Sequence, residues 1–528
     1  MTNVAERAAD SSGPPTTRRK GHPALTLVAV ALGVMMVALD GTVVSVANPT
    51  IQRDLHSTLA GLQWVTNGYL LALAVLLIPG GTLGDRFGRR LFFSIGVTGF
   101  ALASLGCAVS TSIGMLVVFR VIQGVSGAML LPNTLAILRA TFPADKLTRA
   151  VGVWGATSAL AVASGPIVGG LLVEHVSWQS IFLLNLPLGA VTLATTLTVV
   201  RESRESVVPE GFDIPGLLAL TAGLSLLVWA LIKAQNHGWL SAYVLGFGIA
   251  GLVGLALFVA IELRARNPML PMDIFHSRSV SAGTALAVIG FMGLFGVLFF
   301  VTLYLQNVHG YTPVQTGVKL LPLTATFIVS PILGSILTQR LGPRPPLVAG
   351  MTILGIAFLG LTGLNVDSPY SSLWPWFVCI GLALGLIITS TTQAILGNVS
   401  VDRGGVAGGL QSTAQQLGGV LGTSVLGSIL VSSVGAVLGA SLARNGVRGQ
   451  VAQAVLGQKD IVGSGIAPVS AKMPHVLQQA IIHASDAAFL HGLHIAMVVG
   501  AGLAFAGAGI GLLVERGSEV EATQAAVA

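Results

Sequence analysis

The stretch Gly152 to Gly170, GVWGATSALAVASGPIVGG, is an apolar segment with glycines near both ends. Ala161, Gly165 and Gly169 are spaced four residues apart, so their small side chains share one face of a helix and predict close packing of a second helix there. Pro166 removes one backbone hydrogen bond and bends the helix. Between two halves of a membrane protein, such a bent helix is suited to act as a seal or a hinge.

The composition of the whole chain extends this interpretation to a membrane protein. Of 528 residues, 53% are hydrophobic and only 9% are charged, and the mean hydropathy is +0.83. Soluble domains contain about 25% charged residues, so the composition excludes a soluble protein. The net charge of +7 is scattered between apolar runs, which excludes a nucleic-acid-binding surface. Cys107 and Cys379 lie inside apolar runs and indicate neither a disulfide framework nor a metal site.

The apolar runs predict an all-α polytopic membrane protein with fourteen spans. Each run is about 20 residues long, which is enough to cross a bilayer as a helix. The predicted spans are 25–47, 63–83, 91–109, 114–137, 150–173, 180–200, 213–233, 243–263, 281–305, 315–337, 346–365, 373–397, 405–432 and 490–514. Because the number is even, both chain ends lie on the same side of the membrane.

The positions of the basic residues indicate which side faces the cytoplasm. With the chain ends inside, nineteen of the 27 Lys and Arg residues fall in inner segments, seven fall outside or near the outer face, and one lies within a span. Short cytoplasmic loops of membrane proteins carry this excess of basic residues. The sequence therefore predicts a multi-pass protein of the inner (plasma) membrane, with an uncleaved N-terminal tail and both termini in the cytoplasm.

An internal repeat at an offset of 254 residues divides the chain into two halves. The loop Gly84 to Arg90, GDRFGRR, is echoed by Thr338 to Arg344, TQRLGPR, and Gly127 and Gly165 recur as Gly381 and Gly419. Spans 1 to 6 therefore match spans 9 to 14, and spans 7 and 8 are an inserted pair. Parallel six-helix repeats with a site at their interface are typical of alternating-access transporters. The predicted segments are a tail (1–24), an N-terminal half (25–201), the insert with its loops (202–278), a C-terminal half (279–516) and a second tail (517–528).

The segment 433–489 is predicted to be a large outer loop. After Pro474, apolar residues such as Leu477, Ile481 and Ala484 recur at helical spacing and indicate a short amphipathic helix. Such a helix would lie on the outer interface or cover the pathway, and the more ordinary alternative is a surface insertion without a role. The histidines around this segment, among them His491 and His494, are predicted to be surface residues.

Two ionisable residues are predicted to lie inside spans, where a charge is costly and marks a functional site by default. Asp40 in span 1 and Arg120 in span 4 both lie about 10 Å from the outer boundary, judged from 1.5 Å per helical residue. We expect Asp40 to take up and release a proton and Arg120 to adjust its affinity, because desolvation and a nearby cation act on a carboxyl in opposite directions. The alternative is a fixed buried pair that only joins two helices.

Other polar side chains in the spans are candidates for a substrate cavity. The candidates are Asn48, Gln123, Asn133, Gln393 and Gln411, with Asn67 as a further intramembrane amide. Gln123 follows Arg120 by three residues and so shares its helix face. The more common use of such amides is a hydrogen bond between helices. Lys319, near the outer end of span 10, is expected to extend its amine to the membrane surface rather than enter the cavity.

The loop between spans 2 and 3, Gly80 to Arg90, combines glycines with charges. We expect Asp85 to lie at the start of span 3, where the helix dipole favours a carboxylate, and Arg89 and Arg90 to bridge neighbouring helix ends. Ion pairs of this kind latch one of two conformations at a bistable interface. The predicted conformational residues are Gly81, Gly84, Asp85, Arg86, Gly88 and Arg89 here, and Gly165, Pro166 and Gly169 in span 5.

Taken together, these segments resemble the major facilitator superfamily, and within it the fourteen-helix drug:proton antiporters. The loop Gly80 to Arg90 resembles the superfamily signature, and Leu116 to Ala128, LVVFRVIQGVSGA, resembles the span 4 motif, whose arginine, here Arg120, is implicated in proton coupling. Gly152 to Gly170 is similar to the span 5 antiporter motif of exporters. Leu39 to Pro49, LDGTVVSVANP, and Trp178 to Pro187, WQSIFLLNLP, resemble motifs of spans 1 and 6 of the fourteen-helix branch.

The resemblance implies the major facilitator fold and a proton-coupled exporter of lipophilic or amphipathic drugs and antibiotics. We therefore expect a secondary transporter and not an enzyme, with protons as the coupling ion and with no cofactor and no metal. The expected partners are a small lipophilic substrate and the surrounding lipid, and the expected state is a monomer. The chain has no GxxxxGK[ST] sequence for an internal ATP motor. Asp40 is the only acid placed clearly inside the bilayer, so we expect weak recognition of divalent cations. The alternatives are uptake of a small solute and a non-transporting receptor on a transporter scaffold.

Overall fold

A computed structural model describes residues 22–204, 213–399, 403–470 and 472–515 of the chain. The predicted tails and the loop 205–212 lie largely or wholly outside these ranges. The α-helices are α1 (Pro23–Asp54), α2 (Leu59–Phe87), α3 (Arg89–Ala108), α4 (Ile113–Thr141), α5 (Ala144–His175), α6 (Ser180–Leu183), α7 (Asn185–Val199), α8 (Ile214–His237), α9 (Ala242–Glu262), α10 (Arg278–Leu303), α11 (Pro313–Lys319), α12 (Leu321–Leu341), α13 (Arg344–Leu361), α14 (Trp374–Leu396), α15 (Gly404–Arg444), α16 (Gly449–Leu456), α17 (Lys459–Val462) and α18 (His475–Gly511).

Within the described ranges, fourteen helical segments are long and apolar enough to cross a membrane. This confirms the predicted number and the all-α class. Two predicted spans are each built from two helices: α6 and α7 form one, and α11 and α12 form another. We call the side of the bundle that holds Pro23 and Gly511 the termini side, and the opposite side the distal side.

Polar residues at the ends of the spans start several of the helices. A helix N-terminus leaves backbone N–H groups without partners, and side-chain oxygens accept hydrogen bonds from them. Thr58 caps α2, Ser112 caps α4, Asp213 caps α8, Ser241 caps α9 and Ser277 caps α10 in this way. Thr312 and Gln315 form a reciprocal capping box at α11. These caps set where each helix begins.

The packing of the first six spans recurs in the last six. The helix pairs α1/α5, α2/α4 and α3/α4 correspond to α10/α15, α12/α14 and α13/α14. The turn between α2 and α3 contains Gly88 at φ +131°, and the matching turn between α12 and α13 contains Gly342 at φ +78°. Few residues other than glycine adopt such a positive φ. The glycines of the two echoed loops therefore serve the same backbone turn.

Glycines bring the crossing helices into backbone contact. A Cβ added at Gly124 of α4 would lie 2.4 Å from the carbonyl oxygen of Tyr69 in α2. In the other half, a Cβ at Gly381 of α14 would lie 2.4 Å from the carbonyl oxygen of Leu323 in α12. Small residues at helix crossings allow this approach in a bilayer, where van der Waals packing drives helix association.

The inserted helices α8 and α9 pack on each other and cover the boundary between the two halves. Gly223 of α8 and Gly254 of α9 allow the pair to touch, since a Cβ at Gly254 would lie 2.8 Å from the Cα of Gly223. Helix α8 contacts both α2 and α15. The Ser428 hydroxyl of α15 donates a hydrogen bond to the carbonyl oxygen of Leu231 in α8. The insert therefore spans the junction between α2 and α15.

The predicted outer loop 433–489 is wrong in extent, because both flanking helices continue into it. Helix α15 runs on to Arg444, and α18 begins at His475. The predicted amphipathic helix after Pro474 is the first part of α18, and its Ile481 and Ala484 are buried. The apolar spacing was a helical signal, but it continued a span instead of forming a separate element. The connection between Arg444 and His475 contains the short helices α16 and α17.

The glycine crossings predict a difference between two alanine substitutions in the same helix. Gly124→Ala places a methyl group against the Tyr69 backbone and is expected to cost about 1–3 kcal/mol, as overpacking does. Gly114→Ala, at a position with no atom within 4 Å of an added Cβ, is expected to leave stability unchanged or to raise it slightly. Thermal unfolding of the purified variants in detergent measures both. Equal melting temperatures for the two variants would contradict the proposed close packing.

Candidate functional site

An ion pair between Asp40 of α1 and Arg120 of α4 lies at the centre of the N-terminal half. The Arg120 Nη1 donates to Asp40 Oδ2, and both residues are 1% exposed. The sequence placed both residues at the same depth, and the structure brings them into direct contact. A buried charge is stable only when it is paired and hydrogen-bonded, so the surroundings of the pair decide whether it persists.

Amide groups complete the shell around the Asp40 carboxylate. The other carboxylate oxygen, Oδ1, accepts hydrogen bonds from Gln123 Nε2 at 3.2 Å and from Asn185 Nδ2 at 3.1 Å. Both amides also donate to Ser104 Oγ, at 2.7 and 3.2 Å. The carboxylate of α1 is therefore held by donors from α4 and α7, which a hydroxyl of α3 aligns.

Arg120 also touches groups outside this shell. Its Nε donates to the carbonyl oxygen of Val65 at 3.0 Å, and its guanidinium carbon lies 4.1 Å from the centre of the Tyr69 ring. The guanidinium borders an enclosed cavity of about 10 Å³ where the two halves meet, lined by Gly41, Val44, Ser45, Thr66, Phe295, Leu298, Phe299 and Thr423. A cavity of this size has room for about one water molecule. Arg120 thus joins the buried pair to the interface between the halves.

The distal part of that interface is closed by hydrogen bonds of neutral amides, which we call the distal gate. Gln52 Nε2 donates to Ser464 Oγ at 2.8 Å, and Gln63 Nε2 donates to the Thr423 carbonyl at 2.8 Å. In addition, Asn67 Nδ2 donates to Ser424 Oγ at 2.8 Å, and Gln306 Nε2 donates to the Val46 carbonyl at 2.9 Å. Each of these bonds joins one half of the chain to the other, and every amide is at most 8% exposed.

The glycine stretch of α5 lies beside the gate and touches both halves. A Cβ at Gly165 would lie 2.0 Å from the Thr42 hydroxyl of α1, and one at Gly169 would lie 2.8 Å from the Val43 carbonyl oxygen. A Cβ at Gly170 would lie 2.5 Å from the carbonyl oxygen of Pro313 in α11. The predicted smooth stripe is therefore a contact surface, with α1 on one side and the C-terminal half on the other.

Pro166 and the end of α5 complete this contact. A Cβ added at Gly317 of α11 would lie 2.5 Å from the carbonyl oxygen of Pro166. Glu174 accepts a hydrogen bond from the backbone N–H of Val314 at 2.8 Å. Toward the termini side the same helix is free of such neighbours, because a Cβ at Gly152 or Gly155 would have no atom within 4 Å. Among the described contacts, Gly170, Pro166 and Glu174 thus join the distal part of α5 to the other half.

The residues predicted to line a substrate cavity occupy different places. Gln123 belongs to the Asp40 shell, and Asn133 donates to the carbonyl oxygens of Gly80 at 3.3 Å and Met129 at 2.7 Å. Gln411 is buried and donates to Thr391 Oγ1 at 3.2 Å, while Gln393 is exposed. Asn48 is fully buried, and neither of its amide atoms has a protein partner. In this conformation Gln123 and Asn133 join helices, the use that is common for intramembrane amides.

In the loop between α2 and α3, the arginines bridge neighbouring helices as predicted. The carboxylate at the start of α3, however, is not the predicted Asp85. Asp85 lies in the last turn of α2, not at the start of span 3, and forms an ion pair with Arg89 at 2.7 Å. Glu202 instead accepts from the backbone N–H groups of Arg90 at 3.0 Å and Leu91 at 3.2 Å. Asp85 belongs to α2 because this helix continues to Phe87, before the turn at Gly88, whereas the apolar pattern predicted its end at residue 83.

The conformational residues of this loop contact helices of their own half. Arg90 Nη2 donates to the carbonyl oxygen of Leu197 at the end of α7, at 2.7 Å. A Cβ at Gly84 would collide with the amide of Asn133, and one at Gly81 would lie 3.3 Å from Pro132 Cβ. The Arg86 guanidinium lies 5.5 Å from the centre of the Phe87 ring. The loop therefore binds α2, α3, α4 and α7 together on the termini side.

Two outer residues expected at the surface, Lys319 and His494, are half-buried. The Lys319 amine lies 4.2 Å from the ring centres of both Tyr311 and Tyr370, in the distal connections, and its extension to the membrane surface stays a prediction. Its neighbour His309 stacks on Tyr311, and burial, with Lys319 adding to it, lowers the pKa of His309. His494 is half-buried, with Nε2 2.8 Å from the Leu364 carbonyl oxygen.

Asp40 is also not the only buried acid. Asp486 is 7% exposed within the distal part of α18, and Glu262 is 3% exposed at the end of α9 on the termini side. The sequence analysis placed Asp486 in the outer loop. The residue is buried because α18 continues through that segment. Glu262 is the last residue of α9, whereas Asp486 lies 11 residues inside α18, which packs on α10, α13 and α15 of the C-terminal half. Asn185, by contrast, is a member of the site that the sequence analysis did not select, although an amide within an apolar span was a signal for it.

Comparisons with known proteins agree with this architecture. The chain is 43% identical over 507 residues to the tetracenomycin C resistance and export protein of Streptomyces glaucescens, covering 95% of this chain and 93% of that one. It is 36% identical over 485 residues to the multidrug resistance protein Stp of Mycobacterium tuberculosis, covering 90% and 89%. The crystal structure of a bacterial homologue of the human lysosomal transporter Spinster, inward-facing and unoccupied, matches with a TM-score of 0.62 at 17% identity, covering 93% and 98%.

Because that structure shares only 17% sequence identity with this chain, the match shows a similar fold and nothing more. The sequence profile of the Major Facilitator Superfamily matches residues 30–423, which is most of the described bundle. With the repeated packing of the two halves and the relatives above, the conclusion is direct: this chain is a multi-pass membrane transporter that belongs to the Major Facilitator Superfamily.

Proposed function

We propose that the protein exports lipophilic or amphipathic small molecules, such as antibiotics, in exchange for protons. The observation that carries the proton part is the buried ion pair of Asp40 and Arg120, because an acid in a membrane span is retained where it moves a charge or a proton. Relatives that match nearly the whole chain are named as resistance and export proteins. These names support efflux of an antibiotic or of several drugs by this chain.

The orientation in the membrane follows from the basic residues. The excess of Lys and Arg on the termini side supports a cytoplasmic location for both ends of the chain in the plasma membrane. The distal gate then faces the exterior and is closed, while Gly152 and Gly155 near the termini end of α5 have no close neighbour. We infer an inward-facing conformation that receives substrate from the cytoplasm. Export then requires the distal gate to open and the halves to rock about their interface.

The coupling step uses one proton and one carboxylate. A proton from the exterior binds an Asp40 oxygen, the charge of the acid disappears, and Arg120 loses its ion-pair partner. Because Arg120 borders the junction of the halves, its release changes the polarity of that junction. Deprotonation of Asp40 toward the cytoplasm restores the ion pair. No cofactor or metal takes part in this proposed step, and the resemblance favours a monomer.

Neutralising Asp40 is expected to abolish proton coupling. Asp40→Asn keeps the shape of the side chain but cannot exchange a proton, so substrate-induced collapse of the pH gradient should disappear. The measurement is proton release from energised inside-out vesicles on addition of tetracenomycin C, other neutral antibiotics or lipophilic monovalent cations. Asp54→Asn, at the exposed end of the same helix, is the matched control and should behave as the natural chain. Gradient-driven transport by Asp40→Asn would show that Asp40 is not the proton carrier.

Substrate charge gives a second expectation. Glu262 ends α9, and Asp486 lies on α18, which packs on α10, α13 and α15 of its own half. Among the described acids, Asp40 is therefore the one whose partner, Arg120, lines the junction between the halves. One carboxylate cannot balance two substrate charges while it exchanges a proton. Dications should therefore drive proton release at least tenfold less efficiently than monocations of the same aromatic core, in the same vesicles. Equal efficiency for the two series would contradict a single central acid.

The distal gate predicts how the outward opening is controlled. Asn67→Leu removes the bonds of that amide to Ser424 and Thr423, so the outward-open population should increase. The measurement is the labelling rate of Ser45→Cys by an impermeant maleimide from the distal side, in a background where Cys107 and Cys379 are serine. We expect a several-fold faster rate than with the control Gln339→Leu, whose amide contacts Ser335 of its own helix. An unchanged rate would exclude this amide as part of the gate.

A further inference from the structure

We propose that Asn185, aligned by Ser104, is a positioning residue that sets the pH range over which Asp40 exchanges its proton. This inference rests on the proposed function of Asp40 and adds a residue on a different helix to it. The role differs from that of Arg120, because Asn185 carries no charge and belongs to the span 6 segment rather than to α4.

The backbone places the Asn185 amide at a helix break. Helix α6 ends at Leu183 and α7 begins at Asn185, so the side chain projects from the junction of the two helices. Its Nδ2 donates to Asp40 Oδ1 at 3.1 Å and to Ser104 Oγ at 3.2 Å. Ser104 Oγ donates its own proton to the Phe100 carbonyl at 2.7 Å. The serine oxygen can therefore only accept from the amide, which fixes the amide's orientation.

Asn185 is independent of the arginine, whereas Gln123 is not. Gln123 donates to the same carboxylate oxygen, but its Oε1 accepts from Arg120 Nη1 at 3.0 Å and from the Cys107 thiol at 3.3 Å. Changing Gln123 therefore changes Arg120 as well. Of the donors described around Asp40, Asn185 is the one contributed by a helix other than α4. A change of Asn185 tests the carboxylate shell while leaving the ion pair in place.

The other titratable groups near Asp40 come from α2, α3 and α4. They are Tyr69, whose hydroxyl donates to the Val37 carbonyl at 3.0 Å, the thiol of Cys107, and Arg120. Of the remaining helices that pack on α1, α11 carries Lys319, whose amine lies against Tyr311 and Tyr370. Residues 150–173 of α5, residues 279–303 of α10, and α6 and α7 throughout contain no Asp, Glu, Lys, Arg or His. The amides and Arg120 therefore dominate the surroundings of the carboxyl.

An amide donor favours the ionised carboxyl over the protonated one. A hydrogen bond to a charged acceptor is stronger than one to a neutral acceptor, so its loss favours the protonated acid. Leucine has the same branched shape and the same number of side-chain heavy atoms as asparagine but donates no hydrogen bond. In Asn185→Leu the midpoint of proton uptake should therefore move to higher pH by about one unit, from the strength of a charged hydrogen bond. Ser104→Ala, which frees the Asn185 and Gln123 amides to turn but keeps both donors, should move it in the same direction by less.

The test reads the proton on Asp40 directly and needs no substrate. Infrared spectra of the purified full-length protein in lipid nanodiscs are recorded as a function of pH. The C=O stretch of the protonated acid is assigned to Asp40 by its loss in Asp40→Asn. Thr192→Val, a buried position two turns further along α7 whose hydroxyl bonds to Leu188, is the matched control and should leave the midpoint unchanged.

The outcomes separate this inference from the proposed function. A midpoint raised in Asn185→Leu and Ser104→Ala but not in Thr192→Val supports it. An unchanged midpoint in folded Asn185→Leu overturns it while Asp40 remains the proton carrier. Should Asn185→Leu fail to fold, an unchanged midpoint in Ser104→Ala overturns it. If no pH-dependent band disappears in Asp40→Asn, the proposed role of Asp40 fails as well.

Discussion

The structure depends on keeping one ion pair inside an apolar bundle. A carboxylate and a guanidinium cannot remain charged in a low-dielectric interior unless nearly all their hydrogen-bonding groups have partners. Asp40 and Arg120 meet this requirement only because α1, α2, α3, α4 and α7 converge on them. The backbone of Val65, the ring of Tyr69 and the amides of Gln123 and Asn185 all contribute. The polar shell therefore fixes how five helices sit relative to one another.

Glycine makes that convergence possible. At Gly124 the backbones of α4 and α2 approach so closely that a methyl group would collide with the Tyr69 carbonyl, one turn after Arg120. The same device recurs at Gly165 and Gly169, where α5 lies directly on α1 beside Thr42 and Val43. Small residues thus place α1, which carries Asp40, directly against α5, which contacts the C-terminal half. A movement of α5 is transmitted to α1 by direct contact.

The two halves repeat their packing, but they differ in chemistry. The N-terminal half holds the ion pair and its shell, whereas the C-terminal half supplies hydroxyl and carbonyl groups to the distal gate through Thr423, Ser424 and Ser464. The gate bonds are neutral, so they are less sensitive to salt than ion pairs. The inserted α8 and α9 cover the junction of α2 and α15, which the repeat itself leaves without a cover. The buried ion pair therefore lies in one half, whereas the distal gate is formed by both halves.

The fold class, the fourteen spans and the candidate ion pair could all be predicted from the amino-acid sequence. Apolar length is a local property, and a bilayer excludes other ways of satisfying the backbone, so the spans could be counted from composition. The equal depth of Asp40 and Arg120 also follows from local counting along two helices.

Which polar groups contact one another depends on how the helices pack in three dimensions. The donors to Asp40 come from residues 80 or more positions away, and Asn185 was not distinguished by its spacing from other intramembrane amides. In the same way, Glu202 rather than Asp85 caps α3, and α18 extends through the predicted loop to bury Asp486. Hydropathy records how apolar each segment is, but the partner of a buried polar group depends on helix rotation and crossing, which are set by packing between distant segments.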